Sequence, residues 1–179
     1  WETYEPREGE IIIRMDPGMA FGTGSHETTR LVIGLLEDTV TPGCNVLDVG
    51  TGSGILAVCA SKLGAADCRA YDIDPVAVEV AAENAAENGC ANVTVGQSDL
   101  LAGVAPGKYD VVCANIVADI IIRMAPDIGR FMHDESTLLA SGIINERASD
   151  VIDALEANGF YIARALEDNG WTALAVKKL

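Results

Sequence analysis

Positive charge is scarce in this chain of 179 residues: 12 lysines and arginines stand against 27 aspartates and glutamates, a net charge of −15. Such a surface repels nucleic acid phosphate and anionic membranes and favours the approach of a basic partner. No apolar stretch approaches the roughly twenty residues that a membrane-spanning helix needs. Cysteine pairing is also missing. Cys44, Cys59, Cys68, Cys90 and Cys113 are odd in number and lack C-x-x-C spacing, and most fall inside apolar runs. They read as reduced core residues of a cytoplasmic protein, not as a disulfide framework. There are two histidines, His26 and His133, and neither joins a cysteine or acid at metal-ligand spacing, so no metal is expected. No repeat or low-complexity stretch is visible. The length suits one well-packed α/β domain. A start at Trp1, without a methionine or signal-like segment, suggests a piece of something longer.

What is present centres on Asp48-Val49-Gly50-Thr51-Gly52-Ser53-Gly54, where an apolar run ends and a helical run, Ile55 to Leu63, begins. Strand, glycine turn and helix bring a ligand against backbone N–H groups at the positive end of a helix. A second apolar run, Cys68 to Tyr71, ends in Asp72, where a doubly wound sheet places the carboxylate that holds a ribose diol. The dinucleotide pattern can be read from Gly52, Gly54 and Ala57, which makes an NAD-dependent oxidoreductase the rival reading. Asp48 tells against it. A carboxylate two residues before the first glycine faces a pyrophosphate with like charge, yet suits S-adenosylmethionine, which carries an ammonium and a sulfonium.

In chain order, Glu10 to Met15 is expected as a short leading strand after an acidic linker. The glycine-rich segment Asp16 to Thr29 should run into a helix that Ser25 could cap, with Leu31, Val32, Leu35 and Leu36 as its buried stripe. Met19 and Phe21 suit a flap over the cofactor, although Phe21 as a core anchor fits equally. Asp74 caps the helix opened by Pro75, which leaves Asp72 the one free carboxylate of that pair. Asp99, after the strand Val93 to Val95, is placed to accept from an adenine amino group. Tyr109 to Val117 is a buried central strand, and its end puts Asn115 beside the glycine turn. A helix from Asp119 to Met132, a strand from Thr137 to Ala140 and a helix from Ser149 to Ala157 follow. The runs Phe160 to Leu166 and Trp171 to Val176 flank Asn169-Gly170, a hairpin turn.

The motifs Asp16-Pro17-Gly18-x-Ala20-Phe21-Gly22-Thr23-Gly24-x-His26-x-Thr28-Thr29, Asp48 to Gly54 with Ile55-Leu56-Ala57, Asp72-Ile73-Asp74-Pro75 and Ala114-Asn115-Ile116-x-Ala118 together closely resemble the PrmA family. Its members trimethylate ribosomal protein eleven of the large subunit with S-adenosylmethionine. The resemblance runs the length of the chain and implies a Rossmann-like class I S-adenosylmethionine-dependent methyltransferase, an α/β fold with a mostly parallel seven-stranded sheet and a terminal antiparallel hairpin. It makes residues 1–15 a linker and leading strand and 16–179 the catalytic domain. The resemblance also implies a small N-terminal domain that grips the basic ribosomal substrate, which is expected to be missing ahead of Trp1. By the same resemblance Thr29, Gly50, Asp72 and Asn115 fall on cofactor-binding positions, joining Phe21, Asp48, Gly52 and Asp99 from the reading above.

Methyl transfer needs an amine kept neutral, with its lone pair aimed at the departing sulfur's methyl. The Asn115 side-chain oxygen and the Ile116 carbonyl are the expected acceptors from that amine's N–H groups. Adenine and glutamine methyltransferases resemble this arrangement but carry Asn-Pro-Pro-Tyr, whose aromatic stacks on a flat substrate. Ala118 takes that fourth position here and leaves room for a growing alkylammonium. Protein amino groups are therefore the expected substrate. Another class I methyltransferase acting on a different amine, or a cofactor-binding adaptor without catalysis, are the further alternatives.

Overall fold

Alternating apolar residues set which way each strand faces, and in this computed structural model, which describes residues 4–15 and 26–179, they divide between two cores. Seven strands form one sheet: β1 (Asn45–Val49), β2 (Asp67–Asp72), β3 (Val93–Gln97), β4 (Tyr109–Asn115), β5 (Met132–Ile144), β6 (Phe160–Asp168) and β7 (Trp171–Lys178). Their order is β3-β2-β1-β4-β5-β7-β6, with β1 to β5 parallel and β7 antiparallel to both neighbours. The expected hairpin turns at Asn169 and Gly170, both at positive φ (50° and 84°).

The helices are α1 (Glu27–Thr39), α2 (Ile55–Lys62), α3 (Pro75–Glu87), α4 (Ala118–Ile128) and α5 (Ala148–Ala157). Val46, Cys68, Ala70, Val111, Cys113 and Leu139 pack on one face against Val32, Leu36, Leu56 and Ala60 of α1 and α2. Leu47, Val49, Val112, Ala114, Leu138 and Ala140 pack on the other against Ile121, Met124, Ile128, Val151 and Leu155 of α4 and α5. Burying one such large aliphatic side chain contributes about 1.5–3 kcal/mol, so the alternation strongly favours a single register. Asp48, Asn115 and Ser141 stand two residues beyond Val46, Cys113 and Leu139, so they fall on the face covered by α1 and α2. Since the four strands β1 to β4 are parallel, their C-terminal ends all meet at one edge.

Three local expectations differ. The segment Glu10 to Met15 forms no strand. Ile13 and Met15 pack on the α1–α2 core, but the backbone of Arg14 is held by a side chain: its N–H donates to Asn88 Oδ1 (2.8 Å) and its carbonyl accepts from Asn88 Nδ2 (2.7 Å). α1 is capped by His26, whose Nδ1 accepts from the Thr28 N–H (3.2 Å); Ser25, the expected cap, lies outside the described residues. The helix expected to reach Met132 ends at Ile128. A 3-10 turn, Gly129–Phe131, follows, and Met132 opens β5, which is 13 residues long where only Thr137 to Ala140 was expected. All five cysteines are buried free thiols. Burial pushes Cys59 up to about 11 and Cys68 to about 12, which suits inert packing residues. Among the described residues no helix is long and apolar enough to cross a membrane.

Candidate functional site

The glycine turn leaves β1 folded over its own neighbour strand: the N–H groups of Gly50 and Thr51 both donate to the Tyr71 carbonyl of β2 (2.9 Å each). Gly50 adopts φ +72°, and a Cβ there would lie 2.6 Å from Ile116 Cγ2, so only glycine fits. From the far side α3 braces the turn, with Asn84 Nδ2 donating to the Ser53 carbonyl (2.8 Å). The turn is thus a rigid shelf and not a loose connection.

Asp72, the last residue of β2, accepts from the Gly52 N–H through Oδ2 (2.9 Å) and from the Asp74 N–H through Oδ1 (3.0 Å). Each oxygen keeps a lone pair for a further donor, as a ribose diol requires. Asp74 caps α3 by accepting from the Val76 N–H (2.9 Å), as its sequence position implied. Ile73, between the two aspartates, leaves 60% of its surface exposed, an apolar platform beside the Asp72 carboxylate. Sequence reasoning passed over it, although a large aliphatic directly after the strand-ending acid was the available signal. Asp99 follows β3 and is exposed; Ser98 Oγ, donating to the Leu100 carbonyl (2.7 Å) and accepting from the Gly103 N–H (2.8 Å), holds the turn there. The turn therefore does not call on the Asp99 carboxylate.

Asp48 lies beneath the shelf with 1% of its surface exposed. Its Oδ2 accepts from Thr51 Oγ1 (2.7 Å), while Oδ1 is buried with no hydrogen-bond partner among the described residues. Burial pushes its carboxyl up to about 7; the Thr51 hydroxyl pulls against that shift and the Asp72 charge adds to it. An orphaned carboxylate oxygen at this depth leaves a cost that a cationic ligand on the shelf offsets.

Across the boundary between β1 and β4 the groups are neutral. Asn115 ends β4, and its Nδ2 donates to Thr29 Oγ1 in the first turn of α1 (3.3 Å). Ile116 is clamped between two glycines. Its side chain meets Gly50, and its backbone meets Gly142, which sits at φ +82° and where a Cβ would lie 2.6 Å from the Ile116 carbonyl oxygen. The Ile116 N–H donates to the Ser141 carbonyl (3.1 Å). Gly142 and Ser141 brace the tip of β4 at Ile116, yet the sequence offered only their place at a strand end. Val117 and Ile144 stand exposed nearby, at 61% and 41%. The sequence-expected Asp48, Gly50, Gly52, Asp72, Asp99, Asn115 and Ile116 thus gather at one edge, Thr29 is buried behind Asn115, and Phe21 and Met19 lie outside the described residues.

A parallel sheet closed by an antiparallel β7, with its binding edge at the β1–β4 switch, is the Rossmann-like fold of class I S-adenosylmethionine-dependent methyltransferases, for which S-adenosylmethionine is the methyl donor. Likeness in fold alone extends to a precorrin-6y C5,15-methyltransferase from Geobacter metallireducens, with TM-score 0.72 at 14% identity over 92% of each chain. Within that class the chain belongs to the ribosomal protein L11 methyltransferase (PrmA) family, whose family model matches residues 1–179. It is 50% identical over 178 residues to the ribosomal protein L11 methyltransferase of Caldanaerobacter subterraneus subsp. tengcongensis and 51% identical over 178 residues to that of Pelotomaculum thermopropionicum. These alignments take in 99% of this chain but 57% and 58% of the relatives, so it spans little more than half their length. The crystal structure of a ribosomal protein L11 methylase from Lactobacillus delbrueckii subsp. bulgaricus superposes with TM-score 0.94 at 38% identity, covering 99% of this chain and 91% of that one.

Proposed function

We propose that this chain binds S-adenosylmethionine and transfers its methyl group to aliphatic amino groups of a basic ribosomal protein, L11. The observation that carries this reading is the pairing of a buried, part-orphaned carboxylate under the glycine shelf with a neutral acceptor pair, Asn115 and Ile116, at the next strand tip. The cofactor supplies an electrophilic methyl on a sulfonium. Asp48 and the shelf at Gly50 and Gly52 favour its positive charges, Asp72 accepts from the ribose hydroxyls, and Ile73 and Asp99 serve the stacked face and the amino edge of the adenine. Phe21 is assigned to the cover of that pocket as a large apolar group in the glycine-rich segment.

On the acceptor side, Asn115 Oδ1 and the Ile116 carbonyl accept from the amine's N–H groups and turn its lone pair to the methyl. No carboxylate is needed there; one would hold the amine as an unreactive ammonium. Val117 and Ile144 offer apolar surface to an aliphatic stem, and Ala118 leaves space for added methyls. The net charge of −15 favours a lysine-rich partner. Substrate grip is assigned, by the resemblance, to an N-terminal domain of the longer relatives, and the unpaired cysteines assign the setting to the cytoplasm.

Two measurements test the reading. S-adenosylmethionine and S-adenosylhomocysteine should each raise the melting temperature of this chain, while NADH should not; stabilisation by NADH alone would restore the oxidoreductase alternative. Mass spectrometry of L11 incubated with the full-length enzyme and S-adenosylmethionine should show additions of about 14 Da or multiples of it, located on amino groups. Additions confined to carboxylates or amides would overturn the acceptor assignment.

A further inference from the structure

The acidic surface as a whole draws a basic partner, but at the acceptor mouth a carboxylate works against the reaction by holding the amine as an ammonium. Two carboxylates stand close to it. α4 begins at Ala118, directly beyond the Asn115 tip, and α5 begins at Ala148, shortly after the exposed Ile144; each has an aspartate in its first turn, Asp119 and Asp150. Neither helix has a side-chain cap, so these acids have a structural reason to be there: they favour the positive end of each helix.

Arg147 lies between the two. Its Nη2 donates to Asp119 Oδ1 (2.6 Å) and its Nε to Asp150 Oδ2 (2.9 Å), so one guanidinium joins the segment after β4 to the segment after β5. Asp119 is 75% and Asp150 57% exposed, and ion pairs as open as these add little to stability, so holding the fold together is a poor account of the arrangement. Other charged groups at this end are Glu27 on α1, 3.9 Å from Arg30, Glu146 beside Arg147, and Asp168 in the hairpin, whose Gly170 carbonyl accepts from the Asn145 N–H (2.9 Å). Asp48 and Asp72 stand on the donor side. All of these are common to the variants compared below.

We propose that Arg147 is a charge-compensating residue of the acceptor site, which offsets the field of Asp119 and Asp150 at the substrate amine and lets that amine lose its proton to solvent at lower pH. It acts through the two carboxylates and touches neither substrate nor cofactor. This rests on the amine methyltransferase reading above.

The test is the pH dependence of single-turnover methyl transfer to L11 by the full-length enzyme, saturated with both substrates at low salt, which reports the proton affinity of the bound amine. Arg147→Met should move the profile up by roughly half a pH unit, the size of one charge felt through water at several ångströms. On the rising limb that is about threefold in rate. Asp119→Asn should move the profile down by a similar amount, the double variant should return it to that of the parent, and Arg147→Lys should leave it in place. Both single variants break the same ion pair, so a clasp that merely held two segments together would respond to them alike. Shifts of the same sign, or an unmoved profile in both, overturn the inference. Salt gives a second readout: at about 1 M sodium chloride, where the screening length is about 3 Å, the shifts should collapse, and shifts that persist overturn the inference too. Affinity for S-adenosylhomocysteine should stay within about twofold throughout; a larger loss would place Arg147 in the donor half instead. Should Arg147→Met not fold, the downward shift in Asp119→Asn still decides. Absence of any methyl incorporation by the unaltered enzyme sinks the amine methyltransferase reading itself, a result distinct from an unmoved profile in an active enzyme.

Discussion

The two halves of the sheet, split between β1 and β4, present opposite chemistry at the same edge. On the β1-β2-β3 side the strand tips carry Asp48, Asp72 and Asp99 around a glycine shelf. On the β4-β5 side they carry Asn115, Ile116, Ser141 and Gly142, with no charge among them. On the function proposed above, the difference follows from what each half would handle. A sulfonium and an ammonium are permanently or predominantly cationic, so carboxylates stabilise them; a nucleophilic amine must shed its proton, and a carboxylate beside it would keep the proton on. Charge on the donor side and neutrality on the acceptor side are two requirements of one reaction.

The comparison breaks most severely at Gly142. Alanine there puts a methyl where 2.6 Å separates it from the Ile116 carbonyl oxygen and forces an L residue to φ +82°. Gly142→Ala should cut methyl transfer by about 100-fold, the scale of a roughly 1 Å misplacement, while cofactor affinity on the other half stays within about twofold. Steady-state transfer to L11 and calorimetric titration with S-adenosylhomocysteine separate the two. Equal losses in both would show that the halves are one mechanical unit. Asp72→Asn attacks the donor half. Two backbone N–H groups, from Gly52 and Asp74, converge on its two oxygens, so the amide leaves one N–H facing an NH2. About 2 kcal/mol of binding should go, roughly 30-fold in Kd, with little change in the transfer rate at saturating cofactor.

Asp48 sharpens the contrast through pH. Its carboxyl stands near 7 in the folded chain against an ordinary value of 3.8. Between those values the unfolded chain is ionised there and the folded chain is not, so this group makes stability fall as pH rises from about 4 to about 7 and is flat above. Cofactor binding runs the other way: a cationic ligand favours the ionised form, so affinity should climb as pH rises toward 7 and then level. Asp48→Asn should flatten both profiles, weaken cofactor binding about tenfold at pH 8, and leave the ligand-free chain more stable than its parent at that pH. Thermal melts and titrations across pH 5 to 9 check the signs, and an affinity profile that survives the substitution would move the titrating group elsewhere.

The donor half was the more legible of the two in the sequence, and the reason is locality. Asp48 to Gly54 and Asp72 to Pro75 are runs of adjacent residues, so spacing exposes them even though Tyr71, Asn84 and Ile116 complete the turn. The acceptor half depends on contacts between distant segments: Thr29 with Asn115, Ser141 with Thr28, Gly142 with Ile116. Asn115 could be found because it ends a long apolar run, but nothing local marks Gly142 as more than a strand terminus. The same limit governs the fold. Expected strand and helix faces held wherever alternation was long, whereas the 13 residues of β5 exceed the expected run because β4 pairs with its first residue, Met132, and β7 with its last two, Ile143 and Ile144. The Ile11-Ile12-Ile13 run has strand composition and forms no strand; directly after it Asn88, 74 residues away from Arg14, takes the N–H and carbonyl of Arg14.

The smallest effect is expected at the opposite end of β4, where Asp110 Oδ1 meets His133 Nε2 (2.7 Å) and Asp110 Oδ2 accepts from the Asn45 N–H (2.7 Å). Burial by itself pushes the Asp110 carboxyl up, but those two hydrogen bonds and the imidazole's charge outweigh it and hold the group below its ordinary 3.8. A depressed carboxyl contributes stability that is present above its unfolded value and is lost as pH falls through the folded one. Both side chains are about 40% exposed, so water screens the pair and the contribution is slight. His133→Gln should therefore cost less than about 1 kcal/mol in denaturant melts and leave both cofactor affinity and methyl transfer unchanged. If it instead altered transfer by tenfold, the strand would be relaying strain from Asp110 to Asn115, and the site could no longer be treated as a property of the sheet's C-terminal edge alone.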